Sequence, residues 1–196
     1  MILRILALLL FITSDLYAFC KPTKQLWSLD TPEDPQNSSE LSRARGSPSF
    51  FNGTRITLRG GILDEMCVPI EGATVQIWQT TITDLEDQGF VPNGTSITDN
   101  KGRYVFDTIL PSTRANGILP KMRIKVSHKD FFPVETVTFF VMNDIKSDDE
   151  DWSSLSLSEK RELICKCLNC DRVLRADEIL EYRFDIIMDG RLKFRS

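Results

Sequence analysis

Short strand-like stretches at residues 55–60, 74–79, 104–108, 122–127 and 136–141 alternate with turn signals at Glu71-Gly72, Asn93-Gly94 and Asp99-Asn100-Lys101-Gly102. Gly, Asn and Asp at these points favour tight reversals between extended segments. A chain built this way buries its apolar residues by laying two sheets face to face, so the expected fold is mainly β, an antiparallel β-sandwich. The alternation is cleanest in ILPKMRIKVSH, residues 118–128. There Met122, Ile124 and Val126 fall on one face of a strand, and Lys121, Arg123 and Lys125 on the other. The only histidine, His128, follows this stretch and reads as a loop residue.

Ser156 and Glu159 have capping-box spacing, which predicts one short helix from Glu159 towards Leu168. Residues 181–188 read as a closing strand, turned out by Asp189-Gly190. The acidic run SDDED, residues 147–151, reads as a solvated loop, with Trp152 exposed beside it. Trp78 reads as a core or pocket-wall aromatic.

Residues 1–18 have the form of a secretory signal: Arg4, an apolar run from Ile5 to Ile12, and Ala18 before the cut. The run is too short for a transmembrane helix, so no membrane span is expected in the mature form. Residues 19–53, rich in Ser, Pro and Asn, are a linker or an arm lying over the domain. The sandwich itself is expected over 54–190, with a tail at 191–196. Export to the periplasm, the cell surface or the medium places the five cysteines in an oxidising compartment. Cys67, Cys165, Cys167 and Cys170 are the disulfide candidates, with the pairing open, while Cys20 is left over, lipidated or paired between chains. ICKCLNC could also be a thiolate metal site, but three sulfurs lack the two separated pairs of a zinc signature. Asn37, Asn52 and Asn93 stand in N-x-[ST] sequons. A net charge of −4 gives nucleic-acid binding no electrostatic support.

Three stretches carry a more specific signal: ITLRGGILDEMCVPIEGATVQIWQTT, TDNKGRYVFDTILP and MRIKVSHKDFFPVETVTFFVMND, followed by KRELI and YRFDIIMDG. In this order, over residues 55–190, they resemble the catalytic domain of intradiol ring-cleavage dioxygenases such as protocatechuate and catechol dioxygenases, a prealbumin-like sandwich. The resemblance implies a non-haem ferric iron held by two tyrosinates and two imidazoles, with oxygen inserted between the hydroxyl-bearing carbons of a catechol. It also implies where those ligands should stand. The two histidine positions fall on Lys121 and Arg123, the arginine that assists the substrate on Ile118, the first tyrosine on Glu86 and the second near Arg114. Tyr104 matches a structural tyrosine of the family, and Tyr182 lies in the closing strand, away from the expected site.

None of the four ligand types survives at these positions. An ammonium offers no lone pair, and arginine stays charged. One histidine and two tyrosines beyond the signal cannot supply two of each. The expectation is a pseudoenzyme: an exported, non-catalytic domain with no cofactor and a binding or structural role at the envelope, its partner an envelope or extracellular protein. One alternative is a divergent iron dioxygenase with a rebuilt site drawing on Asp84, Glu86, Asp87 and His128. Another is a small-anion binder using Arg114, Lys121 and Arg123, against which stands a pocket closed by Glu86 pairing with these cations.

Overall fold

The computed structural model describes residues 19–26, 35–79, 93–112, 118–141, 147–171 and 178–190. Two sheets enclose a shared apolar core, as expected. The first runs β4 (Arg103–Ile109), β1 (Arg55–Asp64), β8 (Leu180–Arg183), β7 (Lys166–Cys167), with β9 (Ile186–Met188) also pairing with β1. The second runs β3 (Asn93–Ile97), β2 (Thr74–Gln79), β5 (Lys121–His128), β6 (Phe131–Phe139). Pairing is antiparallel except that β1 takes β8 and then β9 as parallel partners. The predicted closing strand is thus two strands, broken at Phe184-Asp185 where the chain moves along β1.

Period-two alternation puts Ile56, Leu58 and Ile62 of β1, Phe106 of β4, Val75 and Ile77 of β2, and Met122, Ile124 and Val126 of β5 in the core, all buried. The sheets are also tied by polar groups. The Gln79 amide donates to the Ile109 carbonyl, and the Thr108 hydroxyl donates to Gln79 Oε1, all buried. These pairs satisfy polar groups that would otherwise be costly inside the sandwich.

Residues 19–26 and 35–54 form an arm rather than a free linker. Cys20 is disulfide-bonded to Cys67. Thr23 bonds Ile187 through its backbone N–H and its hydroxyl, and the Leu26 N–H donates to the Glu135 carbonyl. Gln36 bridges to Gly94 on edge strand β3, and the Leu41 N–H reaches the Asp107 carbonyl on edge strand β4, burying Leu41. Covering both edges in this way removes sites for unwanted strand addition. It also explains why Asn93-Gly94, expected as a turn, lies in β3. A Cβ on Gly94 would stand 2.3 Å from the Ser38 carbonyl oxygen, so this glycine serves the close approach of the arm.

Two helices are described where one was expected. The predicted one is α2 (Leu157–Leu163), with the Ser156–Glu159 capping box formed, and it is preceded by the single turn α1 (Glu150–Ser153). The predicted extension to Leu168 is replaced by β7, because the Cys165 N–H bonds the Phe139 carbonyl instead of a helical partner.

Lys24 reaches Glu159 at 2.9 Å and Lys21 reaches Glu162 at 2.8 Å, pinning the arm to α2. Lys24 first, and the capping bonds from Ser156, hold the Glu159 carboxyl down at about 2, against an ordinary value of 4.5. A lowered folded-state value means that this contribution is complete above the ordinary value and is lost as pH falls towards about 2. The urea midpoint should therefore drop between pH 5 and pH 3, and Glu159→Gln should flatten part of that drop; an unchanged pH profile in the variant would exclude the linkage.

Candidate functional site

The basic stripe of β5 lies on the outer face of the second sheet, where β2 and β6 flank it. Lys121 sits beside Phe139, Arg123 between Trp78 and Val137, and Lys125 between Gln76 and Glu135. This face is covered rather than open to solvent. The 147–151 segment and α1 lie over its Lys121 end, and Leu26 of the arm lies over its middle.

Lys121 is 8% exposed. Its Nζ lies 3.0 Å from both carboxylate oxygens of Asp149 and 2.6 Å from Asp151 Oδ2. Asp149 is itself buried. Its Oδ2 accepts from the Leu119 N–H at 3.1 Å, and its Oδ1 accepts from the Trp152 N–H at 3.3 Å as the cap of α1. Trp152 is buried too and meets Phe139 edge-on at 4.9 Å. Two expectations are thereby corrected. Within the acidic run Asp149 is buried and Asp151 partly so, while Asp148 and Glu150 face solvent, and Trp152 is not exposed. Apolar contact between Trp152 and Phe139 draws the segment onto the sheet, and burying Lys121 there requires a carboxylate partner.

The other cations of the stripe differ. Lys125 pairs with Glu135 across the strands at 2.8 Å. Arg123, with Leu26, Trp78 and Glu135, lines a cavity of about 30 Å³, large enough for little more than a water molecule. Among the described residues the stripe therefore forms no open basic pocket. Glu86 and Arg114, proposed from the resemblance as ligand positions, and Asp84 and Asp87, proposed for a rebuilt site, lie outside the described residues, as does the signal segment 1–18. His128 stands at the other end of β5, roughly 23 Å from Lys121 at the usual strand rise. It accepts a hydrogen bond from the Asp130 N–H and packs on Phe131.

The two described tyrosines are also elsewhere. Tyr104 donates from its hydroxyl to the Phe184 carbonyl at 2.6 Å in the first sheet, and burial pushes its pKa well up. Burial raises Tyr182 as well. Neither is a phenolate at neutral pH. The four cysteines expected to form disulfides divide differently: Cys167 pairs with Cys170, Cys67 with Cys20, and Cys165 is free. Cys165 is buried beside β6, and burial pushes its thiol up to about 12 against the opposing effect of a hydrogen bond with Thr138. Cys20 is accounted for within the chain, so the lipidated and interchain alternatives are not what the structure contains. Among the described residues no three His, Cys, Asp or Glu side chains converge as a metal site, and no helix is long and apolar enough to cross a membrane.

The architecture has clear relatives. The chain superposes on an intradiol ring-cleavage dioxygenase from Tetranychus urticae with a TM-score of 0.67, covering 87% of this chain and 95% of that one at 16% identity. The chain has the fold of the intradiol ring-cleavage dioxygenases. A dioxygenase domain from Streptomyces sp. SirexAA-E matches with a TM-score of 0.61 at 18% identity, covering 86% of this chain and 99% of that one. Hydroxyquinol 1,2-dioxygenase from Pseudomonas putida matches at 0.58 and 14% identity, covering 91% and 69%. In sequence, a Rickettsia bellii protein named "Putative dioxygenase" is 27% identical over 191 residues, spanning 87% of this chain and 83% of its own. A Rickettsia felis protein of the same name is 26% identical over the same shares. No family model matches the chain.

Intradiol dioxygenases use a ferric iron. The described groups at the matching positions do not fit it. The Lys121 ammonium already donates to two carboxylates and a guanidinium stands at Arg123, and neither cation offers a lone pair.

Proposed function

We propose that this intradiol-dioxygenase-like domain is exported and non-catalytic, and serves a binding or structural role at the cell envelope. The carrying observation is the Lys121–Asp149–Asp151 cluster, buried where the resemblance places the first imidazole. A histidine there would face two carboxylates and a tryptophan-anchored loop instead of an open metal-binding face. The cross-link of Cys20 to Cys67 suits an oxidising compartment and fastens the arm that covers the face.

A small-anion receptor has less support, since Lys121 and Lys125 already hold carboxylates. The deciding experiment is metal content and oxygen uptake of the full chain expressed with export and ample iron. The expected product is colourless, with sub-stoichiometric iron and no catechol-dependent oxygen consumption. Stoichiometric ferric iron together with catechol turnover would overturn the reading.

A further inference from the structure

The two disulfides do different physical work. Cys20–Cys67 spans 47 residues of sequence and fastens the arm. Cys167–Cys170 spans 3, closing the tight loop Cys167-Leu168-Asn169-Cys170 between β7 and the approach to β8. In the chain-entropy account a cross-link stabilises less the shorter the loop it closes. The fold therefore has little need of the second bond. Its surroundings favour chemistry instead. Both sulfurs are half-buried, and Leu168 between them is 43% exposed. Leu168 lines a groove of about 800 Å³ on the outer face of the first sheet, together with Arg103, Arg183 and Asp185. The Tyr182 hydroxyl stands 3.7 Å from Cys170 Sγ; a disulfide sulfur carries no proton, so the phenol is the donor. Exposed Lys166 directly precedes Cys167.

We propose that Cys167–Cys170 is a redox-active disulfide that exchanges with an external dithiol, at a site separate from the covered β5 face. A thiolate of the dithiol attacks Cys167 Sγ. The new sulfur–sulfur bond forms as Cys167–Cys170 breaks, and the electron pair leaves on Cys170 Sγ, where the Tyr182 O–H donates to the thiolate. The second thiol of the reductant, losing its proton, then attacks its own sulfur in the mixed disulfide and releases Cys167. The dithiol becomes a disulfide, and Cys167 and Cys170 take up two electrons and two protons. Tyr182 is suited to this role because burial keeps its phenol protonated. Cys165, also buried, takes no part.

The test equilibrates the oxidised full chain with graded glutathione buffers, quenches with acid, alkylates free thiols and maps them by peptide mass. The expected result is half-reduction of Cys167–Cys170 at a [GSH]²/[GSSG] ratio roughly 100-fold lower than that needed for Cys20–Cys67, with the circular dichroism of the fold retained. A reduced two-cysteine peptide should be oxidised by one equivalent of the chain and left unchanged by Cys167→Ser/Cys170→Ser. Tyr182→Phe should slow reduction of this pair several-fold and leave Cys20–Cys67 unaffected. Reduction of both pairs at one ratio, or reduction of Cys167–Cys170 only as the fold is lost, would overturn the proposal. An equal rate in Tyr182→Phe would remove Tyr182 from the exchange.

Discussion

Asp149→Ala is expected to destabilise the domain by about 3–5 kcal/mol, the usual cost of removing one partner of a buried ion pair. The substitution leaves the Lys121 ammonium, with its side chain 10% exposed, without the more buried of its two described carboxylates. It also removes the acceptor for the Leu119 and Trp152 N–H groups and so the cap of α1. The stranded charge can be separated from part of the cap by a second variant. Lys121→Met/Asp149→Asn removes both charges, keeps a side-chain oxygen for one of the two N–H groups, which bond different oxygens of Asp149, and leaves Asp151, 29% exposed, to water. It should cost far less than Asp149→Ala, because replacing a buried pair by apolar or neutral groups is often close to neutral. Urea unfolding at pH 7 reads both. Equal losses would mean that a stranded Lys121 charge does not carry the effect, and a loss below about 1 kcal/mol would mean that the pair behaves as a solvated surface bridge.

The same cluster bears on what this face of the sheet can bind. Lys121 and Asp149 are 28 residues apart in sequence, yet each is costly to bury without the other. With Asp149 in place, a histidine at 121 would have to answer the buried carboxylate as the ammonium does now. The face is thus held in its present form by a coupled pair and by the packing of Trp152 on Phe139. A binding or structural role can reside elsewhere on the sandwich while this surface stays closed.

How much of this was legible in sequence depends on the range of the interaction. The core face of β5 could be read directly, since Met122, Ile124 and Val126 obey a two-residue period set by the strand itself. The capping box at Ser156 and Glu159 is equally local and formed as read. The fate of the opposite face was not legible. Nothing near Lys121 states that an acidic run beyond β6 will fold back over it, and in isolation SDDED has the composition of a solvated segment. Trp152 was misjudged for the same reason, as its partner Phe139 comes from another element. Asn93-Gly94 has the local chemistry of a turn, and only the passing arm makes it a strand. The cysteines show the limit plainly: spacing left Cys165 and Cys167 equivalent candidates, and burial of Cys165 separated them.

Gly60→Ala should cost at least about 3 kcal/mol, at the severe end of overpacking, or prevent folding altogether. The reason lies where β1 changes parallel partners. Between β8 and β9 the Phe184 peptide crosses directly over Gly60, and a Cβ built there would stand 1.8 Å from the Phe184 carbonyl oxygen and 2.9 Å from the Tyr104 ring. That peptide cannot readily withdraw. Its N–H donates to the Arg59 carbonyl at 3.0 Å, and its carbonyl accepts from the Tyr104 hydroxyl at 2.6 Å. Moving it would break both bonds and leave a buried phenol without a partner. The adjacent Gly61 is the control. A Cβ there would be 3.5 Å from Asp185 Oδ1, an ordinary contact, so Gly61→Ala should change stability by no more than about 0.5 kcal/mol. Thermal and urea unfolding of the two variants compare neighbouring glycines in one strand, so that strand propensity is nearly matched and close approach is the difference. Similar losses at both positions would show that the β8-to-β9 crossing yields easily, and the two-residue step by which β1 exchanges partners would no longer depend on the missing side chain.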